Sequence, residues 1–593
     1  PVATEQDAER AVRAGLDLVA AVSALGDELG VEGLRARVGV LAGEAAVTIG
    51  AVGEGMVAGD LVNTASRIQG AAEPGTVLVG DSTRRATEAA VVYEPAGTFE
   101  LRGKQHELAL WRAVRIVSGA LGSLRSERLE APFVGRDREL RQIKELFHAC
   151  ADEGRAHVVS VTGIGGIGKS RLAWEFFKYI DGLAQEIFWH RGRCLAYGEG
   201  VAYWALADMV RMRCRIAEDE APDAALAKLR ATLDEVATVP EERERLEPRL
   251  AQLLGLGEQS PGDRNDLFAA WRLFFERLAE VDPVILVFED MQWADDSLLD
   301  FVEYLLDWSR SLPIFVVTLA RPELLEKRHT WGAAVRNLSS LHLEPLQPDL
   351  VRRLLEGLVP GLPDDLASQI VDRSAGVPLY AVETVRALVD RGLLAPEGAA
   401  YRLVGEVESL EVPETLHALI ASRLDGLPVE ERRLLQDAAI LGRTFTAPAL
   451  AALTGRAVGE LEAPLTALVR KEILGLQADP RSPEFGQYGF LQDLVRHVVY
   501  ETLSRRERRQ RHLAAADALA ATMPAEEVAE VLAAHLAEAY ALDPDAEDAD
   551  EIRDRARDSL VHAAERASAL AAAAEACRYL ARAAELCAEE AER

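Results

Sequence analysis

Cysteine is scarce in this chain of 593 residues. The five present, Cys150, Cys194, Cys214, Cys577 and Cys587, form no close pair and no metal-ligand spacing. That excludes a disulfide framework and fits reduced, buried thiols in a cytoplasm. Long hydrophobic runs are missing as well. No stretch reaches the roughly 18 uncharged apolar residues that a membrane span needs, so no membrane partner is expected. Positive charge is in deficit, with 66 Lys and Arg against 97 Asp and Glu and a net charge of −31. This argues against broad, nonspecific nucleic-acid binding and leaves only a small local DNA contact open. No signal peptide is visible. The chain opens on Pro1, with a helical pattern under way from Glu5, and closes inside the helical run Glu589 to Arg593. We expect a piece of a longer protein.

What is present is ordinary globular material, 49% hydrophobic and 27% charged. Its length suits about four domains. One stretch organises the rest. Val158 to Phe177 reads VVSVTGIGGIGKSRLAWEFF. Val158 to Val161 looks like a buried strand, and Arg171 to Phe177 continues as a helix. Between them, Gly163, Gly168, Lys169 and Ser170 fit G-x-x-x-x-G-K-[ST], with Gly165 and Gly166 inside the loop. Strand, glycine-rich loop and helix is the context of a P-loop. Glycines let backbone N–H groups turn toward phosphate oxygens, and the helix N-terminus adds partial positive charge. Lys169 would reach the β- and γ-phosphates of ATP, and Ser170 would hold Mg²⁺. The plain alternative is a glycine-rich βα turn.

A second element fits the first. Val284 to Asp290 reads VILVFED, and its five apolar residues suit a central parallel strand buried on both faces. Glu289 and Asp290 then sit where ligands bind in open α/β sheets. One can hold Mg²⁺ and the other can orient the attacking water, with the assignment open between them. Alone, such a strand ends equally well in solvated acids. Pro313 to Leu319 predicts another buried strand, followed by Arg321. His190 to Tyr203, HRGRCLAYGEGVAY, is rich in Gly, Arg and aromatics. His190 and Cys194 are four apart, but no second ligand pair follows, so no metal site is assigned and the stretch is left without chemistry.

These motifs, with the run Phe133 to Leu140 (FVGRDREL), resemble signal-transduction ATPases with numerous domains (STAND), a branch related to the AAA+ proteins. The resemblance implies that the FVGRDREL segment lies against adenine and that Arg321 senses the γ-phosphate. It also implies that Pro378, in the Gly376-Val377-Pro378 break of a small helical lid, touches the base. Past Val412 the pattern looks like a winged helix, with a wing between Ile473 and Phe490. The basic run Arg505 to Arg511 is a DNA contact on one reading. In so acidic a chain, a helix face packed against acidic neighbours is the favoured one. From Ala514 on, Ala-rich amphipathic helices resemble a tetratricopeptide array and predict a protein-partner surface.

Residues 1 to 115 carry a different resemblance. RVGVLAGEA, GDLVNTASRI, PGTVLVGDST and FELRGKQHELALW look like the second half of a class III adenylyl/guanylyl cyclase domain. The resemblance makes Asn63 and Arg67 transition-state groups. Their spacing, i and i+4, independently puts them on one helix face. Met56 stands where the family carries a purine-selecting Asp or Thr, and a thioether hydrogen-bonds a base poorly. The family's metal-binding aspartates lie in the first half of the domain and its sites form between two subunits. We therefore expect no cyclic nucleotide from this chain alone, and a homodimer through this domain.

The expected fold class is multidomain α/β and α. A partial ferredoxin-like αβ cyclase domain spans 1–115 and a linker 116–131. A P-loop ATPase with a parallel sheet follows over 132–345, then a helical lid over 346–400. A winged-helix-like domain covers 401–520 and tetratricopeptide-like helices 521–593. The expected function is a cytoplasmic ATP/ADP-driven switch fused to a cyclase domain in cyclic-nucleotide signalling. The alternatives are a transcription regulator and a scaffold whose nucleotide is never turned over.

Overall fold

The computed structural model describes residues 34–43, 46–47, 57–58, 60–87, 91–99, 108–116, 131–181, 183, 187–195, 202–217, 220–257, 263–333, 335–397, 400–403, 415–477, 483–522 and 525–587, with scattered helical positions between 8 and 25. It divides into two compact units, residues 1–132 with 171–186, and residues 133–170 with 187–593.

In the first unit, β1 (Arg37–Val40), α1 (Asp60–Ala71), β2 (Thr76–Gly80), α2 (Asp81–Thr87), β3 (Val91–Phe99) and β4 (Leu108–Ile116) follow one another. The sheet runs β1-β2-β4-β3. β1 and β2 are parallel, and the other pairings are antiparallel. Alternation along β2 splits its apolar residues between two faces. Val77 and Val79 join Val12, Val91 and Ala113, while Leu78 joins Ile68, Ala72 and Leu110. Asn63 and Arg67 lie on α1, one turn apart, with Arg67 exposed. Met56, the side chain of Asn63 and the 118–130 linker lie outside the described residues.

The second unit opens with α3 (Asp137–Glu153), β5 (His157–Thr162) and the start of α4 (Lys169–Asp181). β6 (Phe188–Arg193) leads into four helices, α5 (Trp204–Cys214), α6 (Pro222–Val236), α7 (Pro240–Leu254) and α8 (Arg264–Ala279). Then come β7 (Val284–Glu289), α9 (Asp296–Trp308), β8 (Ile314–Ala320) and β9 (Leu338–His342). The strands form one sheet in the order β9-β5-β8-β7-β6, every pairing parallel. All C-terminal strand ends therefore gather along one edge. β7 and β8 are buried at every residue, as near-continuous apolar parallel strands are when helices cover both faces. Trp271, Phe274 and Phe275 of α8 are fully buried, each such burial contributing ~2–3 kcal/mol.

The lid is three helices, α10 (Pro348–Leu358), α11 (Asp364–Ser374) and α12 (Pro378–Asp390). A strand pair, β10 (Leu394–Glu397) and β11 (Ala400–Leu403), follows it without a clear sequence signal. Next come α13 (Leu416–Asp425), α14 (Val429–Leu441), β12 (Thr444–Phe445), α15 (Ala447–Thr454), α16 (Val458–Arg470), β13 (Leu474–Leu476), β14 (Tyr488–Phe490) and α17 (Asp493–Glu501). The antiparallel sheet β12-β14-β13 with these helices is a winged helix. Four further helices follow, α18 (Arg505–Thr522), α19 (Ala525–Leu542), α20 (Ala549–Ala569) and α21 (Ala573–Glu585).

Small residues let those last helices approach closely. Ala563, Ala567 and Tyr579 share one core with Leu286, Phe288 and Val316 of the parallel sheet. Polar contacts mark the same seam, from Gln252 Nε2 to the Ala569 carbonyl (2.9 Å) and from Ser297 Oγ to Glu575 (2.7 Å). Among the described residues, no helix is long and apolar enough to cross a membrane.

Candidate nucleotide site

β5 ends at Thr162, and Gly163 to Gly168 turn the chain into α4 at Lys169. Gly166 (φ 78°) and Gly168 (φ 105°) hold backbone angles that side-chain-bearing residues rarely adopt. A Cβ on Gly166 would sit 2.9 Å from Leu379, whereas one on Gly168 would meet nothing within 4 Å. The loop is thus backed by the lid on one side and open on the other.

Lys169 Nζ donates to the carbonyls of Gly163 (2.7 Å) and Ile164 (3.0 Å). Both acceptors are neutral. Burial, and then the nearby charge of Arg321, lower the Lys169 pKa to about 8, against the pull of Asp290 and Glu323. Arg321 follows β8 and overhangs the loop, its Cζ about 4.0 Å from where a Cβ on Gly165 would lie. Two cations therefore converge on an open loop of backbone N–H groups, which fits a polyphosphate in geometry and charge. Ser170 opens α4 beside Lys169 and is exposed.

The two acids after β7 differ sharply. Glu289 is 5% exposed, and its Oε2 accepts from Arg191 (3.0 Å) and Arg193 (3.4 Å) of β6. Burial alone pushes this carboxyl up, and Arg191, Arg193 and Arg443 overcome it to hold the pKa at about 2. Asp290 is half-buried, in the left-handed region at φ 56°. It accepts from Gln292 Nε2 (3.2 Å) and pairs with Arg443 (3.1 Å). Gln292 Oε1 in turn accepts the Arg321 backbone N–H (3.0 Å), tying the ends of β7 and β8 together.

The opening and lid segments complete the rim. Buried Arg136 donates to the Glu344 carbonyl (2.5 Å) and the Ile167 carbonyl (3.5 Å), which fixes FVGRDREL against the loop. Gly376, at φ 76°, ends the turn after α11, where a Cβ would strike the Leu346 carbonyl at 2.4 Å. Pro378 is the first residue of α12, a position that tolerates its missing N–H. The next residue, Leu379, donates its N–H to the Gly166 carbonyl (3.3 Å).

The structure gathers Gly163, Gly165, Gly166, Gly168, Lys169, Ser170, Glu289, Asp290, Arg321 and Pro378 along this edge. Asn63 and Arg67 belong to the other unit. Sequence reasoning missed Arg191, Arg193, Gln292 and Arg443. The Arg-x-Arg at the end of β6 carried a signal, since alternate strand residues share a face. Arg443 carried none. Among the described residues, no three His, Cys, Asp or Glu form a metal cluster.

Comparison with known proteins gives two family matches. Residues 132–317 match the AAA ATPase domain, and residues 1–112 the adenylate and guanylate cyclase catalytic domain. An uncharacterized protein of Rhizobium meliloti (strain 1021) is 26% identical over 524 residues, 85% of this chain and 49% of that protein. Adenylate cyclase type 10 of Rattus norvegicus is 22% identical over 225 residues, 31% of this chain and 14% of that protein. The chain thus spans about half the length of the first relative and less of the second. Among solved structures, a STAND protein with a tetratricopeptide repeat sensor from Pyrococcus horikoshii has a TM-score of 0.39 at 16% identity, over 78% of this chain and 66% of that one. The Orc1 protein of Aeropyrum pernix in complex with DNA has a TM-score of 0.29 at 13% identity, over 64% of this chain and 95% of that one. By its two family matches, the chain joins a segment similar to the adenylate and guanylate cyclase catalytic domain to an AAA ATPase-type nucleotide domain.

Proposed function

We propose that the chain is an ATP-dependent signalling switch of the STAND type, coupled to a cyclase domain with a cyclic nucleotide as its output. The observation that carries this reading is Lys169, a half-buried ammonium resting on the loop carbonyls of Gly163 and Ile164 with Arg321 above Gly165. In this reading, the N–H groups of Gly165, Gly166 and Gly168 cradle the β- and γ-phosphates and Lys169 neutralises them. Arg321 reads the γ-phosphate, and Pro378 closes the base side. Ser170 and Asp290 hold Mg²⁺, which supplies charge compensation when bound. Glu289, its Oε2 committed to two arginines, fixes the strand end from which Asp290 projects. A ligand moves such a switch only by binding one state better than the other.

In the cyclase segment, Asn63 and Arg67 are assigned as transition-state groups that act when a half carrying the metal-binding aspartates is supplied. The C-terminal helices are assigned a protein partner. DNA is not favoured, because Arg509 pairs with Asp548, and Arg511 with Asp437 (2.6 Å). The test is calorimetric titration of ATP into the unaltered chain and Lys169→Ala. Lys169→Ala is expected to weaken binding at least tenfold, about 1.4 kcal/mol. Equal affinities would remove the P-loop from the reading.

A further inference from the structure

Arg443, just before β12 of the winged helix, reaches Asp290. Its Nη1 donates to Asp290 Oδ2 at 3.1 Å. Its environment is uneasy. Burial strips its hydration and Arg193 repels it, while Glu289 and Asp290 hold it, so its pKa falls to about 10. Two more charge contacts cross the same seam, Arg321 to Asp493 (4.0 Å) and Arg193 to Glu484 (3.6 Å). Each ends, on the sheet side, at a residue that borders the P-loop or holds Glu289.

The other side of the seam is fastened together. Arg423 of α13 pairs with Glu383 (2.8 Å) and Asp390 (2.5 Å) of α12. Arg386 of α12 pairs with Glu383 (2.8 Å) and with Glu472, just before β13. Glu383 is 1% exposed, so breaking this joint would strand a buried charge. Lid and winged helix are thus bound to each other by buried charge, and to the sheet edge by charge pairs that include Asp290.

We infer that Arg443 is a tethered counter-cation for Asp290, so that the winged helix and a divalent metal compete for one carboxylate. The inference rests on the nucleotide-site reading above. A guanidinium and a divalent ion on the same carboxylate repel each other in a partly desolvated site. Metal entry therefore displaces Arg443 and loosens the seam, and nucleotide alone does not. By linkage, removing Arg443 strengthens metal binding by the factor through which metal weakens the seam.

The test uses Mn²⁺ as a paramagnetic probe, with ATP present, on the full chain. Arg443→Ala is expected to bind Mn²⁺ about tenfold more tightly than the unaltered chain, within the usual range of coupled sites. Arg443→Lys, which keeps a cation, should stay close to the unaltered value. ATP affinity in chelator should be the same in all three. Unchanged Mn²⁺ affinity in Arg443→Ala overturns the inference. Chelator-phase ATP binding that survives Lys169→Ala overturns the underlying site reading instead. Hydrogen exchange on the unaltered chain needs no variant. Peptides spanning 440–446 and 484–493 should exchange faster with Mg²⁺ and ATP than with ATP and chelator, and equal exchange also overturns the inference.

Discussion

Glu289 and Arg193 face each other in register on neighbouring parallel strands, with Arg193 Nε 3.4 Å from Glu289 Oε2. Arg191 reaches the same oxygen at 3.0 Å, but its side chain is 37% exposed against 14% for Arg193. Water screens the exposed partner, so the buried one carries more of the stability. Arg193→Ala is expected to cost about 3 kcal/mol in urea unfolding. Arg191→Ala should cost about 1 kcal/mol. The reverse order would mean that exposure does not decide which arginine matters.

How much of this was legible in the sequence depends on range. The P-loop was legible because its chemistry is local. Gly166, Gly168, Lys169 and Ser170 act through their own backbone and near neighbours. The buried strands ending at Glu289 and Ala320 were legible because apolar runs without charge leave few other fates. The neutralisation of Glu289 was not, since it depends on β6 pairing with β7 across some ninety residues of helical insertion (98 between Arg191 and Glu289). Asp290 and Arg443 are 153 residues apart, and only the docking of the winged helix joins them. The basic run from Arg505 was correctly expected to meet acidic neighbours, because a net charge of −31 makes such partners abundant.

Lys169 gives a pH prediction for ligand binding. Its pKa is lowered to about 8, so the ammonium is lost as pH rises through that value. Phosphate needs the charged form, and binding therefore takes up a proton at alkaline pH. ATP affinity, measured calorimetrically, should fall between pH 7 and pH 9.5, by up to about tenfold per unit above the pKa. Lys169→Arg should flatten that fall, because a guanidinium stays protonated. A flat profile in the unaltered chain would count against Lys169 as the phosphate partner.

Asp295, in the nucleotide domain, is repelled by Glu575 of the last helix. It caps α9 through Leu298 N–H (2.8 Å) and accepts the Tyr203 N–H (3.3 Å). Burial, and then the charge of Glu575, raise its pKa to about 7. A raised acid pKa favours the folded state below the unfolded value and loses that support as pH climbs through the folded one. Glu575→Gln removes the like charge and keeps an oxygen for Ser297. Its melting temperature should exceed that of the unaltered chain by a few degrees at pH 8 and differ little at pH 5. A loss of stability at pH 8 would sink the idea that repulsion dominates at this seam.

His512 and His535 are buried between α18 and α19, with their Nδ1 atoms 2.8 Å apart. Tyr500, at the end of the winged helix, closes the chain of bonds at His512 Nε2 (3.0 Å). Two ring nitrogens can share one hydrogen only while at least one ring is neutral. Burial lowers His512 to about 3, with His535 adding to the shift, and burial lowers His535 to about 4. Both folded values lie below the ordinary 6.5. The pair's contribution is therefore whole above that pH and is lost as pH falls from there toward 3. The loss should be on the order of 1 kcal/mol per histidine per pH unit. Glu538, near the Tyr500 hydroxyl (3.4 Å), and Arg508, over the Tyr500 ring, are charged neighbours. Replacing both histidines, His512→Gln with His535→Asn, keeps polar groups at the seam and removes the titration. Melting followed from pH 7 to pH 4.5 should then fall less steeply than in the unaltered chain, even where the double variant starts lower. Parallel slopes would mean that the acid sensitivity arises elsewhere and that the histidine pair titrates alike in the folded and unfolded chain.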